Sequence, residues 1–421
     1  MTDAGTAALK SAEYRRAWPV LLSSAIGTGV GVAVLSAYSI GALAQPLERE
    51  FGWTRAQIMA APLFYAVATL LVGALVGGFA DRYGARRVAI VSQVLLAVAF
   101  AALSQLGRNV AWLYAGFFAL AVFGAGTLPV IWSRVITGWF LHSRGLALGL
   151  SLMGTGLVGA VLPSYVSWLV STAGWSTAFA GLAVLPVAIG LPTTLLFLRE
   201  PPQDQQRLHA RSVTASPPPD PDSFSFRGAI RTRCFWQMSA AFMVVAVAVS
   251  AVLSNSQSLL MDRGIPRATA AALLGLFGIA ISLGRLVSGQ LLDLFRGPSV
   301  AAGMFALPAL ACVLLISGGA NLWLCGLAIV LVGLAGGAEH DIAAYFTAKY
   351  FGRGQYGAIY GLLYALYGLG AGAGPLLAGA VFDATGSYDV ALYGGLAVFV
   401  VAAAAIGTLP APPGLASSLV T

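Results

Sequence analysis

Apolar runs about twenty residues long, the length an α-helix needs to cross roughly 30 Å of hydrocarbon, recur along the chain from Trp18 to Leu409. Such a pattern confines most of the chain to helices, because backbone facing lipid has to satisfy its own N–H and C=O groups. Hydrophobic residues make up 58% of the sequence and charged residues 9%, whereas soluble domains carry about 25% charged residues. The polar surface is too small for a soluble fold. The 51 glycines would weaken soluble helices, but in lipid small residues let neighbouring helices approach closely.

Spans are expected near 18–44, 56–80, 88–106, 111–139, 145–170, 176–198, 234–260, 268–292, 299–317, 322–347, 356–382 and 388–409, twelve in all. The polar stretch Met1–Arg16 runs into the first span with no small-residue cleavage site, so that span is expected to be retained. Cys234, Cys312 and Cys325 have neither disulfide nor metal spacing, and no metal or other cofactor is expected.

An even number of spans puts both termini on one side, and basic residues mark the cytoplasmic side. One side has Lys10, Arg15, Arg16, Arg82, Arg86, Arg87, Arg144, Arg199, Arg207, Arg211, Arg227, Arg231, Arg233, Arg296, Lys349 and Arg353; the other has Arg49, Arg55, Arg108, Arg263 and Arg267. This predicts a multi-pass cell (inner) membrane protein with both termini in the cytoplasm. It also accounts for the net charge of +8 without nucleic acid as a partner.

Residues 199–230 include EPPQDQQRLHARSVTASPPPDPDSF, a composition that cannot form a core. They are expected to be a cytoplasmic linker, His209 included, between an N-terminal bundle (1–198) and a C-terminal bundle (231–421). The two halves repeat at one constant offset: Gly52 with Gly264, Arg55 with Arg267, Gly77 with Gly289, Asp81 with Asp293, Asn109 with Asn321, Gly145 with Gly357, Gly149 with Gly361, Pro163 with Pro375 and Gly174 with Gly386. Glycine richness does not explain Arg, Asp, Asn and Pro keeping the same register. Six helices per copy make this a parallel repeat, typical of carriers whose halves rock around a central site. The fold class is therefore all-α, with two pseudo-symmetric six-helix bundles.

After the second span comes Gly77-Gly-Phe-Ala-Asp81-Arg82-Tyr-Gly84-Ala-Arg86-Arg87. Gly77 allows close helix approach, Gly84 a tight turn, and the basic residues hold the loop at the cytoplasmic surface. This loop resembles the signature loop of the major facilitator superfamily, and the likeness extends over essentially the whole chain. It implies that Asp81, Arg82, Arg86 and Arg87 govern exchange between conformations. The second copy keeps Gly289 and Asp293 but has Leu294 where a basic residue would stand.

Ionisable residues within spans are functional candidates because burying them is costly. Arg285 lies eight residues before Asp293, roughly 12 Å along the helix at 1.5 Å per residue. Its fixed charge and planar fork suit a carboxylate; an ion pair with a neighbouring acid is the other reading. Arg134 is either a gating residue or a side chain snorkelling to the interface. In Glu339-His340-Asp341 the two carboxylates point to nearly opposite sides of a helix. One is expected on the substrate or proton path and the other in an interhelical pair, with Arg134 a candidate partner; proton coupling and purely structural pairing both stand. Tyr356, Tyr360, Tyr364 and Tyr367 share roughly an 80° arc, either as substrate contacts or as a packing face. Tyr38 in the first span is a further candidate contact.

Glu50-Phe-Gly-Trp-Thr-Arg55, Trp139-Phe-Leu-His-Ser-Arg144-Gly145, Arg285 and Lys349-Tyr-Phe-Gly-Arg353 together resemble the branch of monocarboxylate transporters and oxalate-formate exchangers. That likeness implies a small organic anion, with Arg285 at the carboxylate position, moved by alternating access as proton symport or anion exchange by a monomer. The chain departs from the animal carriers: no lysine lies within a span, and Ile281 stands where an acid would precede Arg285. The alternative is an exporter of drugs or other amphipathic solutes; for cationic drugs it would want an intramembrane acid in the first half, where none is found. A membrane-embedded sensor would need a signalling domain, which the linker does not supply. No nucleophile–base pair or phosphate loop suggests an enzyme.

Overall fold

The computed structural model describes residues 3–140, 143–200, 224–352 and 356–410. The described residues are helical nearly throughout. In chain order the helices are α1 (Asp3–Gly29), α2 (Val32–Phe51), α3 (Arg55–Met59), α4 (Ala61–Tyr83), α5 (Ala85–Leu103), α6 (Ala111–Phe123), α7 (Pro129–Trp139), α8 (Arg144–Leu185), α9 (Leu191–Phe197), α10 (Phe226–Ala229), α11 (Arg233–Asp262), α12 (Arg267–Leu294), α13 (Gly297–Gly318), α14 (Leu322–Phe351), α15 (Tyr356–Thr385) and α16 (Asp389–Gly407).

Among the described residues, ten helical segments are long and apolar enough to cross a membrane. One of them, Leu146–Phe197, has 52 residues, about 78 Å of helix at 1.5 Å per residue. It breaks at Gly174, where φ is 84°, and so supplies two crossings. Another crossing comes from α6 and α7, joined by the 3₁₀ turn Ala125–Thr127. The total is the twelve spans expected from hydropathy. The first span is interrupted rather than continuous: Gly31 separates α1 from α2, and Thr127 Oγ1 accepts from the Val32 N–H at 2.9 Å.

Correlated positions in the repeat adopt the same local geometry. Gly52 and Gly264 have φ of 69° and 84°, and Gly174 and Gly386 have 84° and 70°. Asn109 Oδ1 accepts from the Ala111 N–H at 2.9 Å, and Asn321 Oδ1 accepts from the Trp323 N–H at 3.0 Å. Pro163 and Pro375 each sit inside a long helix. The duplication is thus written in turns and caps as well as in sequence.

The chain divides into two compact units, residues 1–53 with 64–215, and residues 54–63 with 216–421. In the first, Trp132 is fully buried and its indole N–H donates to the Thr127 carbonyl at 3.1 Å. A β-carbon at Gly27 would collide with that indole, and one at Gly154 with the Ala25 backbone.

In the second unit, glycines set the helix spacing in the same way. A β-carbon at Gly284 on α12 would strike the Leu334 carbonyl oxygen of α14, and one at Gly337 would strike the Ile281 carbonyl oxygen. On α15, Gly370 and Gly374 meet the Met243 and Val247 carbonyl oxygens of α11. Backbone-to-backbone contact of this kind leaves no room for side chains. Gly337→Leu is expected to force α12 and α14 apart and abolish transport, while Gly361→Ala, at a position with open space, is expected to leave transport within about twofold, consistent with a change outside packed contacts. Uptake normalised to folded protein checks both.

Residues 54–63 pack with the second unit through a clasp around α3. Thr54 and Gln57 form a capping box, and Asp383 Oδ1 and Oδ2 accept from the N–H groups of Arg55 (3.1 Å) and Ala56 (2.8 Å). The Arg55 guanidinium pairs with both Asp262 oxygens, the Nη2–Oδ1 bond being 2.9 Å. It donates to the Tyr388 hydroxyl at 3.1 Å and lies 3.7 Å from the Phe382 ring centroid. Arg55 is only 5% exposed. Such burial is tolerable because the charge is matched by two acceptors and an aromatic face.

Candidate functional site

The close contact of α12 and α14 brings Arg285 beside the Glu339–Asp341 turn: a β-carbon at Gly337 would lie 3.1 Å from the Arg285 backbone nitrogen. The Arg285 side chain is partly exposed. It interacts electrostatically with His340, Asp341, Tyr364 and Tyr367. Its guanidinium nevertheless makes no hydrogen bond and no ion pair among the described residues, and its Nε is buried without a partner. An arginine cannot shed its proton to escape this cost.

Glu339 is completely buried. Its Oε2 accepts from the Tyr367 hydroxyl at 2.6 Å, and its Oε1 has no partner among the described residues. His340 Nδ1 is likewise buried and unpartnered. The His340 ring lies 4.8 Å from Tyr367 and 5.3 Å from Tyr364, centroid to centroid. Tyr364 is 6.0 Å from both Tyr360 and Tyr367. The spacing of α15 therefore lays three of its four tyrosines in one row beside α14. The Tyr356 side chain lies outside the described residues.

Within this group the two acids differ as the helical rotation requires. Glu339 turns toward α15 and its tyrosine, whereas Asp341 is partly exposed and feels the Arg285 charge. What the sequence left undecided was which acid meets the tyrosine row. Neither forms a salt bridge with Arg285 among the described residues.

The remaining candidates belong to the first unit. Gly84 has φ of 88°, as a tight turn after α4 demands. The Arg86 N–H donates to Glu200 Oε1 at 2.9 Å, and its guanidinium donates to the Leu195 carbonyl at 2.7 Å. Arg82 lies 5.4 Å from the Tyr83 ring centroid, and Arg87 is exposed. The side chains of Asp81, Asp293 and Arg144, together with His209 and Arg353, lie outside the described residues. Glu200 was not singled out from sequence, where it reads as the start of the linker. Arg134 is exposed on α7. Tyr38 is buried with its ring against Gly159.

Helices long and apolar enough to cross a membrane, with a guanidinium among buried polar groups, are the architecture of a multi-pass membrane protein. The family model for the Major Facilitator Superfamily matches residues 21–338 and 238–419, and the chain belongs to that family. It is 28% identical over 400 residues to a gallate transporter of Pseudomonas putida, covering 83% of this chain and 84% of that one. It is 26% identical over 323 residues to monocarboxylate transporter 11 of Homo sapiens, covering 73% of this chain and 65% of that one. The crystal structure of a D-xylose-proton symporter superposes with a TM-score of 0.70 at 13% identity, over 94% of this chain and 99% of that one.

Proposed function

We propose that the protein carries a small organic anion, of the monocarboxylate class, across the cell (inner) membrane by alternating access. The observation that carries this reading is the Arg285 guanidinium, set in a span with no ion-pair or hydrogen-bond partner among the described residues. Ionisable side chains within spans are usually bonded to a partner; Arg285 feels Asp341 but bonds no acid among the described residues, which leaves its fork open to an incoming anion. A carboxylate matches its planar fork in two parallel bonds. The names of the relatives, a gallate transporter and a monocarboxylate transporter, support an organic acid.

In this reading Tyr360, Tyr364 and Tyr367 line the substrate path on α15. Glu339, His340 and Asp341 handle the proton if transport is symport, while anion exchange needs only Arg285 to pass from one carboxylate to the next. Asp81, Arg82, Arg86, Arg87 and Arg134 act in exchange between conformations. The carrier works as a monomer with both termini in the cytoplasm, residues 199–230 linking its two bundles.

Uptake of labelled carboxylates by proteoliposomes, with and without an imposed pH gradient, tests the reading. Carboxylate-dependent flux is expected, and its absence across acids of varied size would sink the proposal. Glu339→Gln is expected to reduce pH-gradient-driven accumulation by about 100-fold or more, the size of a general acid–base contribution, while preserving exchange of internal for external small aliphatic carboxylate. Equal loss of both modes would instead make Glu339 a structural group.

A further inference from the structure

We propose that the acid carried has its carboxylate on a flat ring that also bears a hydrogen-bond donor, a hydroxylated aromatic carboxylate being the simplest case. This inference rests on the organic-anion reading above and assigns the part of the molecule that Arg285 does not bind.

The first observation is what surrounds the arginine. Within its electrostatic reach, α14 and α15 present the rings of His340, Tyr364 and Tyr367, with Tyr360 beyond. Tyr364 and Tyr367 are stacked, with an interplanar angle of 23°. A packing face alone would close over these rings, yet Tyr364 is 46% exposed beside buried His340 Nδ1. An aliphatic acid of a few carbons reaches Arg285 but leaves that face uncovered. A planar ring covers it, and aromatic groups prefer such offset contacts.

The second observation is independent of the rings. Glu339 is buried with one oxygen satisfied by Tyr367 and the other unmatched. When Glu339 is ionised its free oxygen accepts hydrogen bonds, so in that state the missing partner is a donor. His340 Nδ1 presents a second unmatched polar atom on the adjacent residue. A substrate carboxylate is drawn to Arg285, and repelled by Glu339 when that group is ionised, which orients the molecule. Its acid end meets α12, its ring lies along the tyrosine row, and its hydroxyl faces Glu339 and His340. A ring without a donor would displace any water there and leave the buried oxygen unmatched, which costs more than the bond itself contributes.

The experiment is competition for uptake of labelled 4-hydroxybenzoate into proteoliposomes holding the full chain, by unlabelled 4-hydroxybenzoate, benzoate, cyclohexanecarboxylate and lactate. The hydroxylated ring is expected to compete about tenfold better than benzoate, the usual effect of satisfying a buried charged acceptor. Benzoate is expected to compete better than cyclohexanecarboxylate and lactate. Tyr364→Leu should weaken the ring acids by about five- to tenfold with little change for lactate, and Tyr364→Phe should restore them. Equal competition by benzoate and 4-hydroxybenzoate overturns the donor, and equal competition by lactate overturns the ring. If lactate is taken up, 4-hydroxybenzoate is not, and Arg285→Ala abolishes the lactate flux, the inference fails while the anion reading stands. If no carboxylate is taken up, both fail.

Discussion

Arg55→Ala is expected to destabilise the second unit by about 3 kcal/mol, the low end of the cost of removing one partner from a buried ion pair. The low end applies because the pair is unevenly buried: the Arg55 side chain is 6% exposed and that of Asp262 30%. Removing the guanidinium takes a two-pronged partner from the Asp262 carboxylate and a donor from the Tyr388 hydroxyl, and uncovers the Phe382 ring. Tyr388 keeps its own bond to Asn255 Oδ1 at 3.0 Å, so that side of the clasp persists. Thermal unfolding of the purified protein in detergent measures the loss. Combining Arg55→Ala with Asp262→Ala should cost clearly less than the sum of the single changes, because both remove the same ion pair. A loss below about 1 kcal/mol, the range of exposed surface pairs, would mean that the clasp contributes little to stability.

Arg285→Ala is expected to leave a folded protein whose apparent affinity for carboxylate is about 100-fold weaker or worse. Truncating one side of a buried, hydrogen-bonded charge pair typically costs 2–5 kcal/mol, and about 1.4 kcal/mol corresponds to tenfold. Arg285 makes no hydrogen bond or ion pair with the described residues, so removing it breaks no direct bond; Asp341 loses only a through-space attraction, and the cost in stability should be small. Losing the arginine and losing the fold are therefore separable outcomes. Arg285→Lys is expected to recover only part of the affinity, since a lysine keeps the charge but not the two-pronged geometry. Full recovery would mean that charge alone matters at this position.

Much of the architecture is visible in the sequence because lipid permits so few solutions. Apolar length marks the spans from Trp18 to Leu409, and the register shared by Asn109 and Asn321, and by Gly174 and Gly386, reveals the duplication. Helical rotation also separates Glu339 from Asp341 and aligns Tyr360, Tyr364 and Tyr367. Less visible is anything decided by contact between distant segments. Nothing local says that Tyr367 would take Glu339, or that the glycines of α12 and α14 would bring Arg285 to the same turn. Arg55 carried a signal in its repeat partner Arg267, but its acids, Asp262 and Asp383, lie hundreds of residues away in the chain. Glu200 was hidden differently, by a neighbouring composition that reads as linker, although it caps the loop at Arg86.

Whether Arg285 holds the anion being carried is read from uptake of a labelled carboxylate by proteoliposomes containing equal amounts of folded wild-type, Arg285→Ala and Arg285→Lys protein. Saturable uptake is expected for the wild type, near-background uptake for the alanine variant and intermediate uptake for the lysine variant. Undiminished uptake by Arg285→Ala would contradict that role.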